Sequence, residues 1–147
     1  MAINLKQNAD MSAGLQGTDG ADGEFVVVTL PWSAITNTTG AFLTVSGPTF
    51  SRRMIVKDIR HVNDTTATNA VTATLYKAAS GTALGSGTAL HSGTANLQAT
   101  AATPATLTLS TTAGALDVAA GSRIGFVISG APGAAGVGSF TVTLAPA

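Results

Sequence analysis

Cysteine is absent from the 147 residues, which excludes disulfide staples, thiolate metal sites and a cysteine nucleophile. Charge is scarce too. Asp, Glu, Lys and Arg make up 10% of the chain, against roughly 25% in ordinary soluble domains. Seven basic and seven acidic side chains cancel to a formal net charge of zero, so a nucleic-acid binder working through bulk positive charge is excluded. Aromatics account for only 5%, too few for platforms that stack bases or sugars in series. No apolar run approaches the roughly 18 residues of a membrane span. Met1–Asp10 lacks a basic stretch followed by an apolar one, so no targeting segment is read there. The expectation is therefore no nucleic-acid partner, no membrane, and synthesis in a reducing cytoplasm.

What fills the chain instead is small and uncharged. Ala, Thr, Gly and Ser supply more than half of the residues. They suit thin strands, tight turns and dry contacts, and they are poor material for helices with solvated faces. A soluble monomer usually keeps its net charge away from zero to avoid self-association. Zero net charge with a mean hydropathy of +0.36 points to a surface covered by copies of the chain itself or by a partner.

Two segments differ in character. Residues 1–24 hold few large apolar side chains (Ile3, Leu5, Met11 and Leu15) and carry Gly14, Gly17, Gly20 and Gly23. Such a stretch buries too little surface to offset its own ordering entropy. It reads as an extended N-terminal arm, with those four residues as anchors on a neighbouring subunit or partner. Residues 25–147 read as one domain of short strands. The runs are Phe25–Leu30 (closed by Pro31), Ala41–Val45 (stopping at Gly47-Pro48), Arg53–Val62, Val71–Tyr76, Ala105–Leu109, Arg123–Ser129 and Phe140–Leu144, with an eighth within 88–99. In Val71–Tyr76 the residues Val71, Ala73 and Leu75 alternate with Thr72, Thr74 and Tyr76, a period-two pattern. Glycine or proline punctuates most gaps, and no segment shows sustained helical spacing. These features predict an all-β fold: a single antiparallel β-sandwich, jelly-roll-like, of about eight strands. A period-six repeat, Ser80–Leu84, Ser86–Leu90 and Ser92–Ala95, is too short for a β-helix and reads as a connection holding a short strand.

No constellation calls for catalysis. Asp19, Asp22 and Glu24 lack the ligand spacing of a calcium loop. His61 and His91 form no zinc-ligand pattern. Neither a nucleophile elbow nor a phosphate loop is present, and four of the seven acids fall in the arm. The chain is expected to be no enzyme and to need no cofactor or metal. Four of the seven basic residues cluster at Arg52, Arg53, Lys57 and Arg60. Strict alternation would put Arg53, Lys57 and His61 on one face with Ile55 and Ile59, and Arg52, Met54, Val56, Asp58, Arg60 and Val62 on the other. Neither face is cleanly apolar, which predicts either a bulge near Lys57-Asp58 or protein packed against both faces. The charges then serve either to guard an edge strand or to contact an acidic partner. Trp32 and Tyr76 are the only candidates for a sugar platform, although a tryptophan that plugs the sandwich is the commoner use.

The stretches Ile55–Val62 and Val71–Leu84, then Leu116–Gly130 and Phe140–Ala147, resemble small structural proteins of tailed bacteriophages, in which an "LYKA-SGTAL" segment and a late "AAG-R-G" turn recur. The resemblance covers roughly residues 55–147 and is one of style and spacing. It implies a capsid decoration (cement) protein: a homotrimer on the outer capsid surface of the virion that clamps neighbouring capsomers, with the major capsid protein as partner. No active-site residues are implied. The alternative class is a head-fibre, tail-fibre or receptor-binding module that recognises host glycans.

Overall fold

The structure is a computed structural model and describes residues 25–33, 43–130 and 136–147. The arm 1–24, with its anchors Ile3, Leu5, Met11 and Leu15, lies outside the described residues, as do Ala41 and Phe42 at the start of the second run.

The chain is all-β and its strands form two antiparallel sheets. In the first, β1 (Val26–Ser33) pairs with β10 (Val137–Pro146), which pairs with β3 (Met54–Thr65). The far side of β3 takes two short pieces, β7 (Ala105–Thr106) at Arg60-His61 and β8 (Asp117–Val118) at Met54-Ile55. In the second sheet, β2 (Leu43–Thr49) pairs with β9 (Arg123–Ser129), which pairs with β4 (Thr72–Ala78). The far side of β4 likewise takes β5 (Thr88–Ala89) and β6 (Ala95–Asn96). Among the described residues ten strands thus occupy eight positions, the one beyond β3 and the one beyond β4 each being broken in two. This strand order is that of a jelly roll. The only helical piece among the described residues is a single 3-10 turn at Leu84–Ser86.

Alternation builds the core. Met54, Val56, Ile59, Leu30, Phe140, Val142 and Leu144 point inward from one sheet, and Val71, Ala73, Leu75, Ile124, Phe126 and Ile128 from the other; all are buried. Phe126 meets Phe140 across the sandwich with ring centroids 5.0 Å apart and a 50° tilt. Burying each such side chain stabilises the fold by about 1.5–3 kcal/mol.

Three expectations change. Pro31 does not end the first strand; β1 runs through it to Ser33. An edge strand accommodates proline when the missing N–H would face away from the ladder. Gly47-Pro48 likewise lies inside β2, where the register jumps between Ser46 and Thr49. The run at 105–109 supplies only Ala105–Thr106 as strand, plus an isolated bridge from Leu109 to His91.

The broken position beside β4 is where the period-six repeat lies. It delivers one buried anchor per copy, Leu84, Leu90 and Ala95, followed by Leu97. Between β5 and β6 the chain leaves the second sheet and bonds to the segment that follows β7: Ser92 N–H donates to Thr108 O at 2.8 Å and Ser110 N–H to Leu90 O at 3.0 Å. The two sheets are therefore joined along this side.

Candidate interaction surface

The basic residues do not guard an edge, because β3 lies inside its sheet, between β10 and the β7 and β8 pieces. The bulge is where the sequence places it. Thr143 opposes Asp58 and Leu144 opposes Val56, which leaves Lys57 as the extra residue. That insertion reverses the alternation, so Ile59, His61 and Asn63 join Met54 and Val56 in pointing inward, while Lys57 and Arg60 stay exposed. The face assignment that put His61 and Ile59 with Lys57 is thereby corrected.

Two of the four basic side chains are held in ion pairs. Arg53 makes a two-pronged contact with Asp117, its Nε donating to Oδ1 at 2.8 Å. This hydrogen bond holds the Asp117 carboxyl below its ordinary range and raises Arg53 above its own. Arg60 Nε donates to Asp58 Oδ2 at 2.8 Å. Arg52 and Lys57 are exposed and make no ion pair among the described residues. Lys77, missed by the sequence reading, donates from β4 to the carbonyls of Gly114 and Asp117, tying the second sheet to the segment that carries β8. Burial lowers its pKa, partly offset by Asp117. Beside it is a cleft of about 270 Å³, also lined by Thr82, Ser86, Thr88 and Ser122.

Trp32 offers no sugar platform. It is 2% exposed, packed against Gly136 and Gly138, where an added Cβ would come within 3.0 Å and 2.6 Å of the indole. Tyr76 is half-buried on the outer face of the second sheet, lining a cleft of about 350 Å³ with Thr44, Ala83, Gly85, Ser86 and Val127. Among the described residues, no three His, Asp or Glu side chains come together to hold a metal. Both histidines are buried inside the sandwich and their pKa values are lowered by desolvation.

The surface with a distinct character is the β1 and β10 part of the first sheet's outer face, bordered on β3 by Arg60 opposite Thr141 and Asp58 opposite Thr143. On β1 it presents Val27, Thr29, Pro31 and Ser33, and on β10 Val137, Ser139, Thr141 and Thr143. None of these residues is charged. The exposed large hydrophobic residues among those described are Phe25 and Val27, each 60% exposed, and Val137 at 47%; Val27 and Val137 belong to this face and Phe25 immediately precedes β1. The signal for it was present in the sequence as the outward half of the alternation, which earlier served only to locate the inward half.

No protein-family description matches the chain, and no curated protein sequence matches it. Among solved structures, it is similar to a chain of the cyanophage Pam1 capsid asymmetric unit, with 22% identity over 85% of this chain and 86% of that one and a TM-score of 0.47. It is also similar to chains of infectious bursal disease virus. For the Gx strain, identity is 14% over 84% of this chain and 32% of that one, with a TM-score of 0.42. For the Gt strain, identity is 15% over 84% and 33%, with a TM-score of 0.35.

Proposed function

We propose that the protein is a structural component of a tailed-phage virion, a decoration protein of the outer capsid surface that clamps neighbouring capsomers. The observation that carries this reading is the uncharged, partly apolar outer face of β1 and β10. A flat face of valine, threonine, serine and proline has no group for proton transfer or ligand capture, but it suits dry packing against another protein. The resemblance of residues 55–147 to small phage structural proteins supports the same reading. Assembly as a homotrimer, with the major capsid protein as partner, would let modest contacts act together, because a multivalent clamp multiplies weak single affinities. The role requires no catalysis and no cofactor. Glycan recognition is not favoured, because Trp32 is buried.

Co-sedimentation of the purified protein with heads of the phage that encodes it tests this reading. The native chain is expected to pellet with heads. Thr141→Lys/Thr143→Lys, which places two charges on the uncharged face, is expected to reduce binding at least tenfold while leaving the melting temperature within a few degrees. Absence of binding by the native chain contradicts the proposal.

A further inference from the structure

A jelly roll has four lateral sheet edges, and two are broken into short pieces and linked to each other by the bonds between residues 90–92 and 108–110. The β2 edge is interrupted by the register jump around Gly47-Pro48. The β1 edge is different. It pairs with β10 without a break from Val26 to Ser33 and has no strand on its other side among the described residues. It has no charged residue and no bulge, the usual devices that stop an edge from recruiting another strand. Pro31 is its one guard. A proline N atom is tolerated in a strand where the missing N–H faces away from the ladder. Because ladder pairing alternates, the N–H and C=O groups of Val27 and Thr29 face the same open side. An added strand therefore has free partners alongside Phe25–Leu30 and is halted at Pro31. Phe25 and Val27, each 60% exposed, offer it apolar contact.

Residues 1–24 lead directly into this edge. Within them Ala2-Ile3-Asn4-Leu5-Lys6 alternates apolar Ile3 and Leu5 with polar Asn4 and Lys6, the period of a half-buried strand. Residues 7–24 between it and Phe25 span up to about 60 Å when extended, enough to reach a neighbouring molecule. We propose that residues 2–6 of a second copy add as a strand to the free edge of β1, with Ile3 and Leu5 against Phe25 and Val27. This rests on the reading of the chain as a self-assembling decoration protein and names the contact that assembles it. In a closed ring every copy both gives and receives an arm, so no open edge remains.

The chain has no cysteine of its own, so single introduced thiols report the contact cleanly. Full-length Leu5→Cys and Val27→Cys chains, co-expressed and mildly oxidised, are expected to give a covalent heterodimer as the main product, and adding Ile3→Asp to the Leu5→Cys chain is expected to abolish it. Full-length Thr29→Pro, which removes an N–H on the open side, is expected to shift the assembly to monomer in light scattering. No heterodimer, or an oligomer that survives Thr29→Pro, overturns the proposal. So does a chain carrying both Leu5→Cys and Val27→Cys that closes its disulfide within one molecule. These readouts use the purified protein without heads, so they fail or succeed independently of capsid binding.

Discussion

The backbone N–H of Leu75 donates to Nε2 of His91 at 3.1 Å. The imidazole stands where a strand carbonyl is missing, in the gap between β5 and β6 along β4. Since Nε2 accepts, the ring proton is on Nδ1, which donates to Ser92 O at 3.3 Å. His61 has the opposite tautomer. The Asn63 amide donates from Nδ2 to Asn96 O at 3.3 Å and Ala99 O at 3.0 Å, so its Oδ1 faces His61 Nε2 at 2.6 Å and that nitrogen carries the proton. His61 is further held by stacking on Phe140, with centroids 5.0 Å apart. Two neutral histidines thus tie the irregular segment 88–110 to the regular strands.

Acid is expected to loosen the fold through these rings. Burial lowers the pKa of both in the folded state, while the unfolded chain titrates near the ordinary value of 6.5. Below that pH the unfolded state binds protons that the folded state refuses, so stability falls as pH drops through and below 6.5. Above it both states are neutral and the contribution is flat. Denaturant titrations from pH 8 to 4 check this. His91→Ala is expected to cost about 1–3 kcal/mol at pH 8 by leaving the Leu75 N–H unpaired, and to make the acid slope shallower.

Leu90 is fully buried at the corner where the repeat crosses between sheets, and its N–H donates to Leu75 O at 2.9 Å. Leu90→Ala is expected to destabilise the fold by about 2–5 kcal/mol, read from the denaturation midpoint with an unchanged m-value. A cost below about 0.5 kcal/mol would mean that this segment is not part of the cooperative core.

Gly138 lies against the only tryptophan. A Cβ there would meet Val62 O at 2.3 Å and Trp32 Nε1 at 2.6 Å, and backbone on one side leaves little room to yield. Gly138→Ala is expected to lower stability by about 1–3 kcal/mol and to shift Trp32 emission to the red as the indole is displaced. In the native chain, acrylamide is expected to quench Trp32 weakly, since it is 2% exposed.

The regular strands were legible because their residues alternate cleanly: Val71, Ala73 and Leu75, and Phe140, Val142 and Leu144, point inward as their period requires. The segment 88–110 was legible only as a short strand within 88–99, where β5 and β6 lie, because much of its backbone is satisfied by the His91 and Asn63 side chains and by scattered bonds rather than by a ladder. Pro31 reads as a terminator because a sequence does not say which strand lies at an edge. At β3 the pattern reported a bulge but not its effect on His61, which depends on Lys57 being the extra residue. Two-residue pieces such as Asp117–Val118 are too short to show any period. The outer face of β1 and β10 was written in the same alternation, as the polar and small residues left over from the core.

Reinforcement of a capsid, the role proposed for this protein, can be measured directly. The direct measurement is the temperature at which heads release their DNA, followed by dye access, for heads stripped of the protein and then restored with purified native chain. The account predicts that restoration raises the release temperature by several degrees and saturates at a fixed protein-to-capsid ratio, whereas Thr141→Lys/Thr143→Lys restores little. Heads that release DNA at the same temperature with and without the bound protein would contradict it.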